Sequence, residues 1–126
     1  MTIFNKDNKV ASPSPRGHVY MLEYLMGMRQ NVVRSLLLSI GAVDVFQLRA
    51  FTNGYRSCQS VNGITDEEHI RFSEWLRDVK NEFPGEGWDV KYLRDRDGDH
   101  ERAIGKYLDF VAEFVALRKH ERHHGR

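Results

Sequence analysis

Three aspartates in the second half of the chain have the spacing that begins a calcium-binding loop. Asp95, Asp97 and Asp99 alternate with other residues. An EF-hand then needs a glycine at position six and a glutamate at position twelve. Counted from Asp95, those positions hold His100 and Lys106. Because Asp and Gly are also the residues that a turn requires, the segment predicts a turn before a helix and no metal site.

Histidine and cysteine offer other candidates for metal binding or reactive chemistry. The histidines are His18, His69, His100, His120, His123 and His124. His120 and His124 are four residues apart and would share a metal if a helix continued through them, but no His-Glu-x-x-His motif includes them. A solvated tail is therefore favoured. The single Cys58 lies on an apolar helical row and is predicted to be buried and inert.

No set of residues in the sequence can be assigned complementary catalytic roles. It contains neither a Gly-x-Ser-x-Gly motif nor a glycine loop that would cradle phosphate. Glu23, in an otherwise apolar stretch, is the only carboxylate that could be drawn inward with a shifted pKa. Arg29 and Arg34 lie on the same predicted helix, so an ion pair or a solvent position is favoured over a catalytic acid. We expect no enzymatic activity, no catalytic residue, no metal and no cofactor.

Charge is balanced over the whole molecule. Lys and Arg number 19 against 18 Asp and Glu, so the net charge is +1 and the overall field is weak. Arg49, Arg56 and the basic residues at the C-terminus are the candidates for contact with nucleic acid. They do not form a short helix-turn-helix with a basic second helix, so nucleic acid is not the expected partner.

Helical periodicity predicts four main helices. They cover residues 18–38, 43–61 and 65–83, and a last one opens near residues 97–99 and continues to Leu117. Gly54 inside the second helix indicates close approach by another group, in the simplest case a tightly packed helix. The segment around Trp88 is either a short helix or an extended stretch lying over the bundle.

The third helix has the clearest sequence pattern. Thr65 and Glu68 have the spacing of a capping box. One apolar row follows, formed by Phe72, Trp75, Leu76, Val79 and Phe83. It predicts a buried face with Trp75 in the core, and Pro84-Gly85 predicts where the helix ends.

A mostly acidic stripe runs along another face of the same helix. Its acidic members are Glu67, Glu74, Asp78 and Glu82, with Arg71 among them. They lie about 120° around the helix from the apolar row and should therefore stay exposed. A solvated face is the common meaning of such a stripe. The functional alternative is that the stripe binds a protein partner and steers a basic one toward it.

The length of 126 residues fits one domain. Residues 1–17 contain Ser12-Pro13-Ser14-Pro15 without periodicity and are predicted to form a mobile arm, followed by a helical domain at 18–117 and a basic tail at 118–126. The apolar stretch 19–38 is interrupted by charged residues, which predicts no membrane span. Without a signal peptide and with one cysteine, the protein is expected in the cytoplasm.

Several short motifs, in order, resemble a family of small, poorly characterised bacterial proteins, some of which look like immunity proteins of toxin systems. The motifs are Glu23, Met28-Arg29, Leu48-x-x-Phe51-x-x-Gly54-Tyr55, Phe72-x-x-Trp75, Gly87-Trp88 and Gly98-Asp99-x-Glu101-x-Ala103. The chain departs from the family's Arg-Pro-x-Met-Tyr-x-Gly stretch, because Arg34 to Gly41 lacks the Pro and the Tyr. The resemblance implies an all-helical fold without known catalytic residues.

These patterns together predict an all-α, single-domain bundle of four main helices with a short additional segment around Trp88. The expected function is non-enzymatic protein binding, in the favoured version as an immunity protein that covers a bacterial toxin. The alternative is a helical regulator or an accessory protein that binds nucleic acid through its basic tail.

Overall fold

The part of the chain that the structure describes is all-helical, as predicted, but it has six helices rather than four main ones. The computed structural model describes residues 18–82 and 87–124, without the side chains of residues 123 and 124, and contains no β-strand in those ranges. The helices are α1 (Met21–Arg29), α2 (Val32–Ser39), α3 (Val45–Val61), α4 (Glu67–Asp78), α5 (Trp88–Asp95) and α6 (His100–His124). The predicted arm at 1–17 lies outside the described residues.

The predicted first helix is divided into α1 and α2. Asn31 leaves the helical conformation (φ −152°, ψ 86°), and its side chain accepts a hydrogen bond from the backbone N–H of Arg34. An asparagine in this position caps a new helix, so α1 ends before residue 31 and α2 begins after it. The prediction of a single helix over 18–38 was wrong.

Helix α3 has nearly the predicted bounds but a different buried face. Its fully buried residues are Val45, Leu48, Thr52 and Gln59. Cys58 is exposed, because Gln59 beside it turns inward, and the prediction of a buried cysteine was wrong. A Cβ atom added at Gly54 would meet nothing within 4 Å, so the predicted close approach there was also wrong.

Helix α4 begins and ends differently from the prediction. Asp66, not Thr65, is its N-cap. At the other end, Asn81 has a positive φ of 57°, a conformation that Asn tolerates, and the helix stops at Asp78. Val79 is consequently 68% exposed instead of buried. Phe83 and the Pro84-Gly85 exit lie outside the described residues.

The segment around Trp88 is a short helix and not an extended stretch, the two alternatives that the sequence left open. Its N-cap Gly87 has φ 101°, and a Cβ atom there would lie 2.3 Å from Nη1 of Arg49. Arg49 in turn binds the buried Asp89 at 3.0 Å, which holds α5 against α3. The ring of Trp88 stacks on Tyr107 of α6, with ring centres 3.9 Å apart.

Helix α6 is the central element, with all five other helices packed against it. Its fully buried side chains are Ala103, Ile104, Tyr107, Leu108, Val111 and Phe114. Trp75 is buried, as predicted, within an aromatic cluster that we define as Phe72, Trp75, Tyr107, Phe110 and Phe114. The helix also continues past Leu117 as far as His124. Among the described residues, no helix is long and apolar enough to cross a membrane.

Candidate functional site

Helix α4 presents three of the four predicted acidic residues to solvent. Glu67, Glu74 and Asp78 are exposed. Asp78 accepts two hydrogen bonds from its neighbour Arg77, at 2.7 and 3.0 Å, and these bonds lower the pKa of the Asp78 carboxyl. Glu67 and Glu74 form no ion pair with another described residue, so their carboxylates are open to solvent.

Glu82 does not belong to this acidic face. It follows α4 rather than lying on it, and its half-buried carboxylate is 3.6 Å from Nζ of Lys91 on α5. The prediction of an exposed Glu82 was therefore wrong, because the helix ends before the stripe is complete. Burial and the neighbouring Glu82 carboxylate both raise the pKa of Tyr92. The contact between Glu82 and Lys91 therefore links the segment after α4 to α5.

A groove of about 640 Å³ lies between α1, the N-terminal end of α4 and the C-terminal half of α6. Its floor is apolar and includes Leu22, Met26 and Val115. Glu23 of α1, Glu67 of α4, and Lys119 and Arg122 of α6 also line it. We call this feature the charged groove. Sequence reasoning missed it, because its lining residues come from three helices that are far apart in the sequence.

One ion pair in the charged groove joins α4 and α6. Arg118 donates two hydrogen bonds to the carboxylate of Glu68, from Nε at 3.1 Å and from Nη2 at 3.0 Å. Such a forked arrangement fixes both side chains. Arg118 belongs to the predicted basic tail, which here is a turn of α6 docked on α4.

A buried polar network lies below the groove, and we call it the polar junction. Asp66, only 3% exposed, accepts hydrogen bonds from the backbone N–H of Met21 at 2.8 Å and from the Gln59 amide at 2.9 Å. Its other oxygen accepts from the His69 backbone at 3.3 Å. One carboxylate thus joins the beginning of α1, the end of α3 and the beginning of α4. The sequence did offer one signal for this arrangement. Asp66 is as favourable an N-cap residue as Thr65 beside it, so it could have been predicted as the cap of α4.

His69 completes the polar junction. Its Nδ1 atom lies 2.6 Å from Nη1 of Arg56, which must donate because a guanidinium has no acceptor. Burial, with a smaller contribution from the Arg56 charge, lowers the pKa of His69 to about 4. The imidazole is therefore neutral near pH 7, with its proton on Nε2.

Arg49 and Arg56, predicted as nucleic-acid candidates, are half-buried and engaged in contacts between helices. Arg49 pairs with Asp89, and Arg56 binds His69. Both are committed to contacts between helices. Neither is a free cation on an open helix face, which is what contact with a phosphate backbone requires.

The residues considered for metal binding are dispersed. Asp95 pairs with Lys91 and Lys106, at 2.7 and 3.3 Å. Asp99 accepts from the backbone N–H of Arg102 at the entry of α6. Over residues 18–82 and 87–122, no group of three or more His, Cys, Asp or Glu is arranged to hold a metal ion. The side chain of His124, considered above together with His120, lies outside the described residues.

Comparison of the chain with protein-family models, with curated proteins and with solved structures finds no match. The resemblance to immunity-like proteins therefore stays a prediction from the sequence.

Proposed function

We propose that this protein is a non-enzymatic binding module that covers a basic protein partner, as an immunity protein covers a toxin. The observation that carries the proposal is the exposed acidic face of α4, formed by Glu67, Glu74 and Asp78. Charges at the rim of an interface raise the rate of association with an oppositely charged partner. The carboxylates stand on a rigid helix whose other face is buried by Phe72, Trp75 and Leu76.

The surroundings of this face also suit binding. Ile70, on the same helix, is 37% exposed and adds apolar surface beside the carboxylates. Interfaces between proteins combine apolar contact area with a charged rim. The titratable groups with strongly shifted pKa values, His69, Tyr92 and Tyr107, are all buried in packing positions.

The test uses the product of the gene next to this one, purified as the toxin candidate. We expect tight binding and relief of growth inhibition when both proteins are expressed together. Glu74→Lys/Asp78→Lys should slow association by about tenfold at low ionic strength, and the difference should shrink at high salt.

The matched control is Glu101→Lys/Asp109→Lys. It changes net charge by the same amount at two exposed positions of α6, away from the acidic face. We expect this variant to associate at nearly the rate of the original protein. An unchanged rate for Glu74→Lys/Asp78→Lys, with a normal helical spectrum, removes α4 from the interface. No binding at all by the original protein contradicts the proposed toxin partner.

A further inference from the structure

Helix α3 differs from the other helices because its exposed side carries no charge. Its two charged residues, Arg49 and Arg56, are half-buried and bind Asp89 and His69. Its exposed residues are all neutral, and they are Phe46, Gln47, Ala50, Asn53, Gly54, Ser57, Cys58, Ser60 and Val61. Each of the other described helices exposes at least one charged residue, in a chain of which 29% is charged. We call this side of α3 the neutral face.

One row runs along the middle of the neutral face, and it is formed by Phe46, Ala50, Ser57 and Val61. Its members are four, seven and four positions apart. At about 100° per residue, they lie within about 60° of one another around the helix. The spacing is therefore the same when it is read from either end, and its centre lies between Asn53 and Gly54.

This row is large at its ends and open at its centre. Phe46 is 43% exposed and Val61 is 85% exposed, so each end presents an apolar side chain to solvent. At the centre, a Cβ atom added at Gly54 would meet nothing within 4 Å. Glycine weakens the interior of a helix, and no contact among the described residues requires one here. The open space allows another helix to approach α3 closely at this point.

These properties make the neutral face complementary to a second copy of itself. When two copies of α3 pack antiparallel about a two-fold axis through the centre of the row, Phe46 of each lies beside Val61 of the other. Ala50 lies beside Ser57 in the same way. Residues near a two-fold axis meet their own copies, so a charge there would face a like charge. The neutral face avoids this repulsion and leaves no charge buried without a partner.

We propose that the neutral face is the contact surface of a homodimer, in which the two copies of α3 pack antiparallel. A helix of 17 residues is about 25 Å long and about 10 Å wide. One pair of such helices buries less than a standard interface, which takes roughly 800 Å² from each partner. The dimer is therefore weak and reversible. This proposal does not depend on the proposed toxin partner.

The test begins with the mass of the full chain in solution, by light scattering and sedimentation from about 1 µM to about 1 mM. We expect the mass to rise with concentration from the chain mass of 14.7 kDa toward twice that value. Raising the salt concentration should not weaken the dimer, because the contact contains no ion pair to be screened. A protein that stays monomeric over this range overturns the proposal.

A pair of matched variants identifies the surface. Ala50→Glu places two like charges at the contact and should weaken the dimer on the order of 100-fold. Ala116→Glu makes the same change at an exposed position of α6 and should dimerise like the original chain. Both sites are exposed, so both variants should keep the helical spectrum and the thermal midpoint of the dilute protein. Equal dimerisation by the two variants overturns the proposal.

Disulfide formation tests the antiparallel arrangement. In this arrangement the two copies of residue 53 lie about 1.5 Å apart along the helix axis, and the two copies of Cys58 lie about 13 Å apart. A disulfide needs Cα atoms within about 7 Å of each other. Under mild oxidation, Asn53→Cys/Cys58→Ser should therefore form a linked dimer, and the original chain should not. Linkage through Cys58 and not through residue 53 overturns the antiparallel packing.

The dimer and the toxin interface are separated by the same variants. Glu74→Lys/Asp78→Lys should dimerise like the original chain, and Ala50→Glu should bind the toxin candidate normally. A chain that stays monomeric, and that loses the toxin candidate through Ala50→Glu, has the toxin on its neutral face. That outcome overturns the homodimer.

Discussion

The two ends of α4 are stabilised in different ways. Its C-terminal half packs Phe72 and Trp75 into the aromatic cluster, against Tyr107 and Phe114 of α6. Its N-terminal end is held by the polar junction, where the Asp66 carboxylate binds three donors from three parts of the chain. The first region depends on how much apolar surface is buried, and the second depends on whether every buried polar group has a partner.

This difference has consequences for how each region tolerates change. Apolar contact is non-directional and tolerates substitutions that conserve volume. A buried hydrogen-bond network is directional, and removing one partner leaves the others unsatisfied. Substitutions at the two ends of α4 should therefore differ in size and in pH dependence.

The largest effect is expected in the aromatic cluster. Trp75→Ala should lower the free energy of unfolding by about 3 to 5 kcal/mol, because it removes a large buried ring and leaves a cavity. Urea denaturation followed by circular dichroism measures this loss. Val79→Ala, at the exposed position four residues on, should change stability by less than about 0.5 kcal/mol. Equal effects at the two positions would contradict the observed end of the helix.

Asp66→Ala should cost somewhat less, about 2 to 4 kcal/mol, because it leaves the Met21 N–H and the Gln59 amide buried without their acceptor. The control is Thr65→Ala, one residue earlier. Thr65 is exposed and was the cap predicted from the sequence. Denaturation of both variants under identical conditions compares the two residues directly. A larger loss for Thr65→Ala would show that the capping box is the real start of α4.

His69 should give the polar junction a pH dependence in the acidic range, where the aromatic cluster has none; the only titratable group of the cluster is Tyr107, whose pKa is raised by burial. Its pKa is lowered from 6.5 to about 4, and Arg56 and Asp66 are the charged groups beside it. Between these pH values the unfolded chain binds a proton at His69 and the folded protein does not. The stability contributed by neutral His69 is therefore present above about pH 6.5 and is lost as the pH falls toward 4.

The variant His69→Gln keeps an acceptor for Arg56 and removes the titration. Its free energy of unfolding should fall less steeply between pH 6.5 and pH 4 than that of the original protein. The difference in slope, integrated over this range, is expected to be on the order of 2 to 3 kcal/mol. Parallel curves for the two proteins would show that His69 titrates normally in the folded state.

The smallest effect is expected from removing metal ions. Asp95 pairs with Lys91 and Lys106, and Asp99 caps α6. Among the described residues there is no cluster of metal ligands. A chelator should leave the thermal midpoint unchanged in a calorimetric scan. A loss of several degrees would reveal a structural metal.

The sequence predicted the aromatic cluster better than the polar junction. Phe72, Trp75 and Leu76 follow a helical period, and they are buried as that period requires. Gln59 and His69 are polar residues whose type favours the surface, yet both are buried. Gln59 is buried because it binds Asp66, and His69 is buried because it binds Arg56. No local sequence pattern predicts that these partners lie close to one another in the fold. The charged groove was missed for the same reason.

By itself, the sequence determined the all-helical class, the extent of α3, the turn before α6 and the burial of Trp75. These properties depend on spacing within a few residues, because helix periodicity and capping are local. Only the tertiary structure decided where α4 ends, that Cys58 is exposed and that Arg118 meets Glu68. These outcomes depend on contacts between distant segments, whose partners are chosen when the helices pack together.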